Sequence, residues 1–481
     1  MTADPHQAKA RPRTFTDRVG RLDRASRARQ QFLDKPYASV QMLLLASGGL
    51  LLFGVLMSVS TTISAVHDGT GGGSIWGQAV KEGEFIVVGL LVFWAAVRMS
   101  PRMFRGLTYP VLALALVGLL AVLVPGVGVV INGARRWIDV GPVQLQPSEF
   151  AKLAVLLWGA DLLARKQQLG SLRRARHLFV PLLPGFAVVI ALVMVEPDLG
   201  TTLCFMLILL GLLWMIGMPL RYFTVVLATV AGAVLLLAVA APYRLQRLTT
   251  FTDPFKDAKG SGYHTVEGLY ALASGGLFGV GLGHGTSKYG YVPNANSDYV
   301  FAIIGEELGF IGCAAVLALF GLFAYSGLRI VRRNADPFVR LACGAATIWI
   351  CGQAVINIGY VSGLLPVTGI PLPLISAGGT SLLVTFFVLG MLTSFARHET
   401  NATNVCRRSE RLGRRSRLER WARIPVPKPY AAPAKRRQAA PAPAAVARSP
   451  RRAPAGAPAG RPAAPARPAT PQRRSAPRKV S

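Results

Sequence analysis

The sequence predicts an all-α polytopic membrane protein. It should have about ten transmembrane helices, a long outer loop between the seventh and eighth, and a disordered basic cytoplasmic tail. Three observations carry this expectation. The 481 residues are 52% hydrophobic and only 16% charged, with a mean hydropathy of +0.42. Apolar runs of about 18 residues or more recur along the chain, separated by short polar segments. The formal net charge of +31 is concentrated at the ends and in alternate loops.

In order, the spans fall near 39–63, 82–98, 107–131, 149–164, 178–195, 200–217, 220–241, 299–324, 341–363 and 376–396. The fourth is interrupted by Lys152 and Asp161. The arm 1–38 is polar and basic, so the first apolar run lies too far in for a cleaved signal and reads as a first span. Loop cations set the orientation. Arg18, Arg21, Arg24, Arg27 and Arg29 in the arm share one side with Arg98, Arg102 and Arg105. So do Arg165, Lys166, Arg173, Arg174 and Arg176, then Arg329, Arg332, Arg333 and Arg340, and the Arg-rich C-terminus. Both ends are then cytoplasmic. The five cysteines form no disulfide framework: Cys204, Cys313, Cys343 and Cys351 lie in apolar spans and Cys406 in the basic tail, all reading as reduced or inert.

The loop 242–297 is long for a connector and dense in glycine: Gly275, Gly276, Gly279, Gly281, Gly283 and Gly285. Its Arg244, Arg247, Lys256, Lys259 and Lys288 run against the positive-inside bias. Either they have a use outside, or the loop is a solvated one of mixed charge. The tail 399–481 opens with a stretch, RRSERLGRRSRLERWARI, able to form a short basic helix, then becomes Pro/Ala/Arg low complexity. It suits either the anionic membrane surface or an acidic cytosolic partner.

Four constellations put polar groups where the chain is otherwise apolar. Asp298 opens NSDYVFAIIGEELG, where it suits either a helix cap or a general base tuned by partial burial. Glu306 and Glu307 lie about 12 Å further along a helix and on different faces, at 1.5 Å and 100° per residue. A charge near mid-membrane costs about 2.5–3.5 kcal/mol, so each must be paired, protonated or set in a polar cavity. In INGARRWIDVGPVQLQPSEFAKL, Arg135 and Arg136 flank the interfacial Trp137, and Glu149 and Lys152 are spaced to pair on one helix face. These cations can hold a lipid-linked phosphate, or they can be anchors with a local ion pair.

In MVEPDLGTT, Glu196 and Asp198 flank Pro197 at a turn, which ordinary cap chemistry also explains. Gln353 and Asn357 are one helical turn apart, suited to helix–helix hydrogen bonds or to a site. The run Pro366, Gly369, Pro371, Pro373, Ser376, Gly378 and Gly379 breaks the helix, which at that depth requires cover by protein or a water-filled cavity. The sequence lacks the GxxxxGK[ST] run of a built-in ATPase and the HExxH or paired CxxC of a zinc site. No nucleic-acid partner is expected.

INGARRWI, QPSEFAKL, EPDLGT, GSGYH, NSDYVFAIIGEELG and PVTGIPLPLISAGGTS together resemble the SEDS family (shape, elongation, division and sporulation), in order, over about 39–398. The resemblance implies a ten-helix peptidoglycan glycosyltransferase. It would polymerise lipid II outside the cytoplasmic membrane, beside a class B penicillin-binding protein and other divisome proteins. It places the essential Asp on Asp298 and family-conserved positions on Arg136, Glu149, Lys152 and Asp198. Gln353, Asn357 and Ser376 complete the candidate substrate-binding set. Asp298 would deprotonate the acceptor hydroxyl and the displacement would invert the donor carbon. A divalent cation, Mg or Mn, held by diphosphate and carboxylates is a further element, with no ligand set assigned. Thr368 favours an elongation-type member and the long basic tails a division-type one at the septum; the division type is the expectation. The rival activities are a lipid-linked precursor flippase, with Glu306 and Glu307 in a proton path, and a non-enzymatic scaffold.

Overall fold

The computed structural model describes residues 35–67, 75–131, 134–141, 143–170, 179–239, 250–289 except 259 and 261, 292, 296–412 and 424–430. The N-terminal arm, the Pro/Ala/Arg tail, and Arg173, Arg174, Arg176, Arg244, Arg247 and Lys259 lie outside the described residues.

Every expected span falls on a helix. These are α1 (Ala38–His67), α2 (Ile75–Arg98), α3 (Pro101–Leu123), α4 (Pro147–Gln168), α5 (Leu182–Val195), α6 (Leu199–Met215) and α7 (Leu220–Val239). The long loop adds α8 (Tyr263–Ser274), and the rest are α9 (Val300–Arg333), α10 (Pro337–Val361), α11 (Gly379–Arg397) and α12 (Thr400–Arg411). Five are long and apolar enough to cross a membrane: α1 over Ala38–Thr61, α3, α9, α10 and α11. Helix α5, α6 and the Leu220–Ala233 part of α7 are apolar but shorter. Helix α2 carries Lys81, Glu82 and Glu84, and α4 carries Glu149, Lys152 and Asp161, which lowers their hydropathy.

The third span was expected to run to residue 131, but α3 stops at Leu123. Pro125 and Gly126, the latter at φ +90°, end the helix, and the β-branched Val129, Val130 and Ile131 continue as a strand. Strands β1 (Gly128–Ile131), β2 (Ala134–Val140) and β3 (Val143–Leu145) form an antiparallel sheet in the order β1-β2-β3. This sheet is an addition to the all-helical expectation. Its alternation was hidden because apolar residues fill both faces of β1.

Helix pairs bury small residues against large ones. Helix α2 packs chiefly on α11, α3 on α4, α1 on α9, and α6 on α10. Gly89 of α2 sits under the Phe386 ring, and Gly390 of α11 sits against the Phe93 backbone. The core is continuous from Leu43 and Leu50 through Phe104, Phe186, Phe205 and Phe338 to Phe395. Glycine here lets helix axes approach, which strengthens dispersion contacts where lipid offers no hydrophobic drive.

The packed unit continues past the boundary expected at 398. Ala402, Thr403 and Cys406 of α12 are buried, and the Tyr37 hydroxyl lies 2.6 Å from the Cys406 sulfur. The extended segment 424–430 is tied back by Arg397, whose Nη2 donates to the Pro425 carbonyl at 3.0 Å. All five cysteines are free thiols.

Candidate functional site

Asp298 lies outside helix α9. The residue at the N-cap position is Tyr299, whose side chain makes no cap bond, so Asp298 stands one residue before the cap. A turn at 296–298 presents the half-buried Asp298 at the junction with the broken segment 362–378. A Cβ placed on Gly369 would stand 3.7 Å from Asp298 Oδ2, so this glycine, at φ +68°, borders the carboxylate. Only a residue free to adopt the left-handed region fits there without strain.

Buried amides and hydroxyls hold that junction from below. Asn357 Nδ2 lies 3.0 Å from the Asp298 carbonyl and 2.8 Å from that of Ile370. Tyr360 Oη lies 3.0 and 2.9 Å from the same two oxygens. Gln353 Nε2 donates to the Pro371 carbonyl at 2.9 Å. Ser376 Oγ donates to the Ser297 carbonyl and accepts from the Leu372 amide at 2.7 Å. Thus Gln353, Asn357 and Ser376, read as substrate-binding from sequence, each bond to backbone here, while Asn357 Oδ1 is buried without a partner among the described residues. They satisfy the carbonyls and amides that a broken helix frees at this depth. Tyr360 belongs to this set and was missed, although it follows Asn357 at helical spacing.

The second piece is the turn 196–198, between α5 and α6. Asp198 caps α6: its Oδ1 accepts from the Thr201 amide at 3.0 Å and its Oδ2 from the Thr201 hydroxyl at 2.8 Å. Gln146, at the end of the sheet, adds a donor to Oδ2 at 3.2 Å. Arg136 of β2 reaches the same turn, with Nε 3.1 Å from the Glu196 carbonyl and Nη2 2.6 Å from that of Pro197. The sheet therefore delivers a guanidinium to the α5–α6 turn. Gly200 brings this turn against the first junction, since a Cβ there would lie 3.0 Å from the Thr368 carbonyl.

The third piece is a buried ion pair on α4. Lys152 Nζ lies 2.7 Å from Glu149 Oε1, and the two side chains are 2% and 6% exposed. Lys152 also sits 5.3 Å from the Trp349 ring centre, and Trp349 Nε1 donates to Gln353 Oε1 at 2.9 Å. One chain of polar contacts therefore joins the ion pair to the broken segment. Asp198 lies within electrostatic range of Lys152.

Glu306 and Glu307 do not join Asp298. Glu306 accepts from the Thr286 amide at 2.8 Å and the Ser287 amide at 3.1 Å. Glu307, fully buried, pairs with Lys288 at 2.8 Å and accepts from the Ser60 hydroxyl at 2.6 Å. Adjacent glutamates on different faces are both reached because the loop wraps the helix. One loop cation singled out in the sequence, Lys288, thereby has its use.

Among the described residues, no group of three or more His, Cys, Asp or Glu is arranged to hold a metal ion. The best-placed carboxylate, Asp198, already accepts three hydrogen bonds. The described residues therefore supply no all-protein ligand set for Mg or Mn.

A "Cell cycle protein" family model, that of FtsW, RodA and SpoVE, matches residues 41–401, and the chain belongs to this family. The "Probable peptidoglycan glycosyltransferase FtsW" of Mycobacterium tuberculosis is 43% identical over 413 residues, 85% of this chain and 77% of that one. Among solved structures, a chain from "Structural coordination of polymerization and crosslinking by a peptidoglycan synthase complex" superposes with a TM-score of 0.60. It is 28% identical, covering 74% of this chain and 96% of that one. The rod shape determining protein RodA of Thermus thermophilus gives a TM-score of 0.54 at 27% identity, over 74% of this chain and 96% of that one.

Proposed function

We propose that this chain is an inverting peptidoglycan glycosyltransferase that polymerises lipid II at the outer face of the cytoplasmic membrane. It serves septal synthesis in cell division, beside a class B penicillin-binding protein. The observation that carries the reading is the setting of Asp298. Its carboxylate is half-buried, outside any helix, on backbone fixed by Asn357, Tyr360 and Ser376. That is the preorganisation a general base needs. The relatives' names and the family support the substrate class.

The chemistry follows from charge and position. Asp298 takes the proton of the acceptor sugar hydroxyl as that oxygen attacks the anomeric carbon of the donor. The bond from that carbon to the diphosphate oxygen breaks, and undecaprenyl diphosphate leaves. One direct displacement inverts the carbon. Arg136, its Nε and Nη2 held by the Glu196 and Pro197 carbonyls, meets the departing diphosphate with its positive charge and its remaining Nη1 donors. Lys152 contributes from within the protein, its charge shared with Glu149. Gln353, Asn357 and Ser376 position the base rather than touch the sugar.

Ten crossings with both termini cytoplasmic put Arg98, Arg102, Arg105, Arg165, Lys166, Arg329, Arg332, Arg333 and Arg340 on the cytoplasmic side, and Asp298, the sheet and Lys288 outside. The flippase reading needs Glu306 and Glu307 free to carry protons, whereas both clamp the glycine-rich loop. The test is purified protein with its penicillin-binding partner and lipid II. Polymer from the wild type that disappears in Asp298→Asn is the expected result. Normal polymer from that variant sinks the base assignment, and lipid movement in liposomes without polymer favours the flippase.

A further inference from the structure

Glu196 ends α5 with its side chain 1% exposed, and neither carboxyl oxygen has a hydrogen-bond partner. The groups that share its turn are otherwise well satisfied. Asp198 accepts from Thr201 and Gln146, and Arg136 donates to the carbonyls of Glu196 and Pro197. Among the described residues, no carboxylate stands within ion-pair distance of the Arg136 guanidinium. Arg136 therefore lies beside two acids and forms a salt bridge with neither.

An ionised carboxylate buried without a partner is among the most costly arrangements a protein can hold, so the group neutralises instead. Two charged groups face Glu196, Asp198 from its own turn and Arg136 from β2. Burial and the neighbouring Asp198 push the Glu196 carboxyl up to about 8, with Arg136 opposing more weakly.

We propose that Glu196 is a positioning residue, held as a neutral carboxylic acid so that the charge of Arg136 stays uncompensated and available to the diphosphate of the lipid-linked donor. An ionised Glu196 would pair with Arg136 in a low-dielectric turn and compete with the diphosphate for it. The two acids of EPD thus take different parts: the second caps a helix through its hydrogen bonds with Thr201, and the first stays protonated. This inference rests on the reading in which Arg136 meets diphosphate.

The test uses the full chain with its penicillin-binding partner. Initial polymerisation rates against lipid II are measured from about pH 6.5 to about pH 9.5, bracketing the titration. In the wild type, KM should rise above the midpoint, approaching about tenfold per pH unit as the neutral fraction falls. Glu196→Gln, which keeps shape and cannot ionise, should hold KM flat over that range while kcat follows the same profile as the wild type. The same alkaline rise in both proteins overturns the proposal. So does a variant that melts like the wild type yet makes no polymer at any pH, because a neutral amide should suffice.

A second readout needs no activity. Infrared difference spectra across the titration should show a protonated carboxylic-acid carbonyl band in the wild type that fades through the midpoint and is missing in Glu196→Gln. Its absence from the wild type overturns the proposal. A wild type that shows the band but makes no polymer defeats the enzymatic reading instead, and leaves the protonation of Glu196 standing.

Discussion

Asp298 and Asp198 look alike in the sequence, each an acid at the start of an apolar run, and the structure separates them. Asp198 is the cap of α6 and accepts three hydrogen bonds, whereas Asp298 stands one residue before the N-cap of α9. Asp198→Ala should therefore lower stability by about 1 kcal/mol, a helix-cap effect, measurable as a fall in Tm. The Glu149–Lys152 pair was legible from spacing, but its burial was not, because a single helix pattern does not show what packs against it. Removing one partner strands the other charge. Lys152→Ala and Glu149→Ala should each cost about 3–5 kcal/mol, and replacing both with apolar residues of similar volume should cost much less. Thermal melts of the two single variants and the double one check the difference. Glu196 adds a pH-dependent stability effect. Its folded carboxyl is raised above the usual carboxylate range, so the unfolded chain ionises first. Folding loses stability as pH climbs from the unfolded value through about 8 and levels off above it. Glu196→Gln should accordingly gain Tm relative to the wild type over that window and show no gain in acid.

Among the elements, α9 and the glycine-rich loop explain each other. The helix is interrupted at Gly309, at φ 65° and ψ −164°, and the loop backbone fills the break. Val280 and Gly281 amides donate to the Glu306 and Glu307 carbonyls at 2.9 and 3.1 Å, while the Phe310 amide donates to the Gly276 carbonyl at 2.9 Å. A Cβ on Gly279, at φ +81°, would stand 2.1 Å from the Glu307 carbonyl oxygen. Gly279→Ala should thus undock the loop, seen as faster proteolysis between 275 and 292 and reduced polymerisation with α-helical content nearly unchanged. The glycine density was visible in the sequence, but its purpose was not. Backbone-to-backbone docking leaves no side-chain pattern to read. The β-sheet escaped for a related reason: its strands are short, and their apolar residues extend the preceding span without a change of period.

For the molecule as a whole, hydropathy located the helices, because burial in lipid demands long apolar runs whatever the function. The end of the folded unit was less legible. The basic composition after 398 reads as tail, yet α12 buries Ala402, Thr403 and Cys406 against the bundle, and Arg397 anchors the segment at Pro425. Composition averages over a stretch and cannot see three small buried residues among arginines. Two truncations separate the folded part from the tail. Ending the chain after Tyr430 removes only residues outside the described fold, so Tm and polymerisation should match the full chain, while recruitment to the septum weakens if the Arg-rich tail docks an acidic partner. Ending it after Arg397 also removes α12 and leaves Tyr37 without its Cys406 contact. That protein should melt several degrees lower and lose activity in proportion, as expected for the loss of about 1–3 kcal/mol of packing. Equal melting of the two truncations would place the boundary back at 398, and a lower Tm from the longer one would make the tail part of the fold.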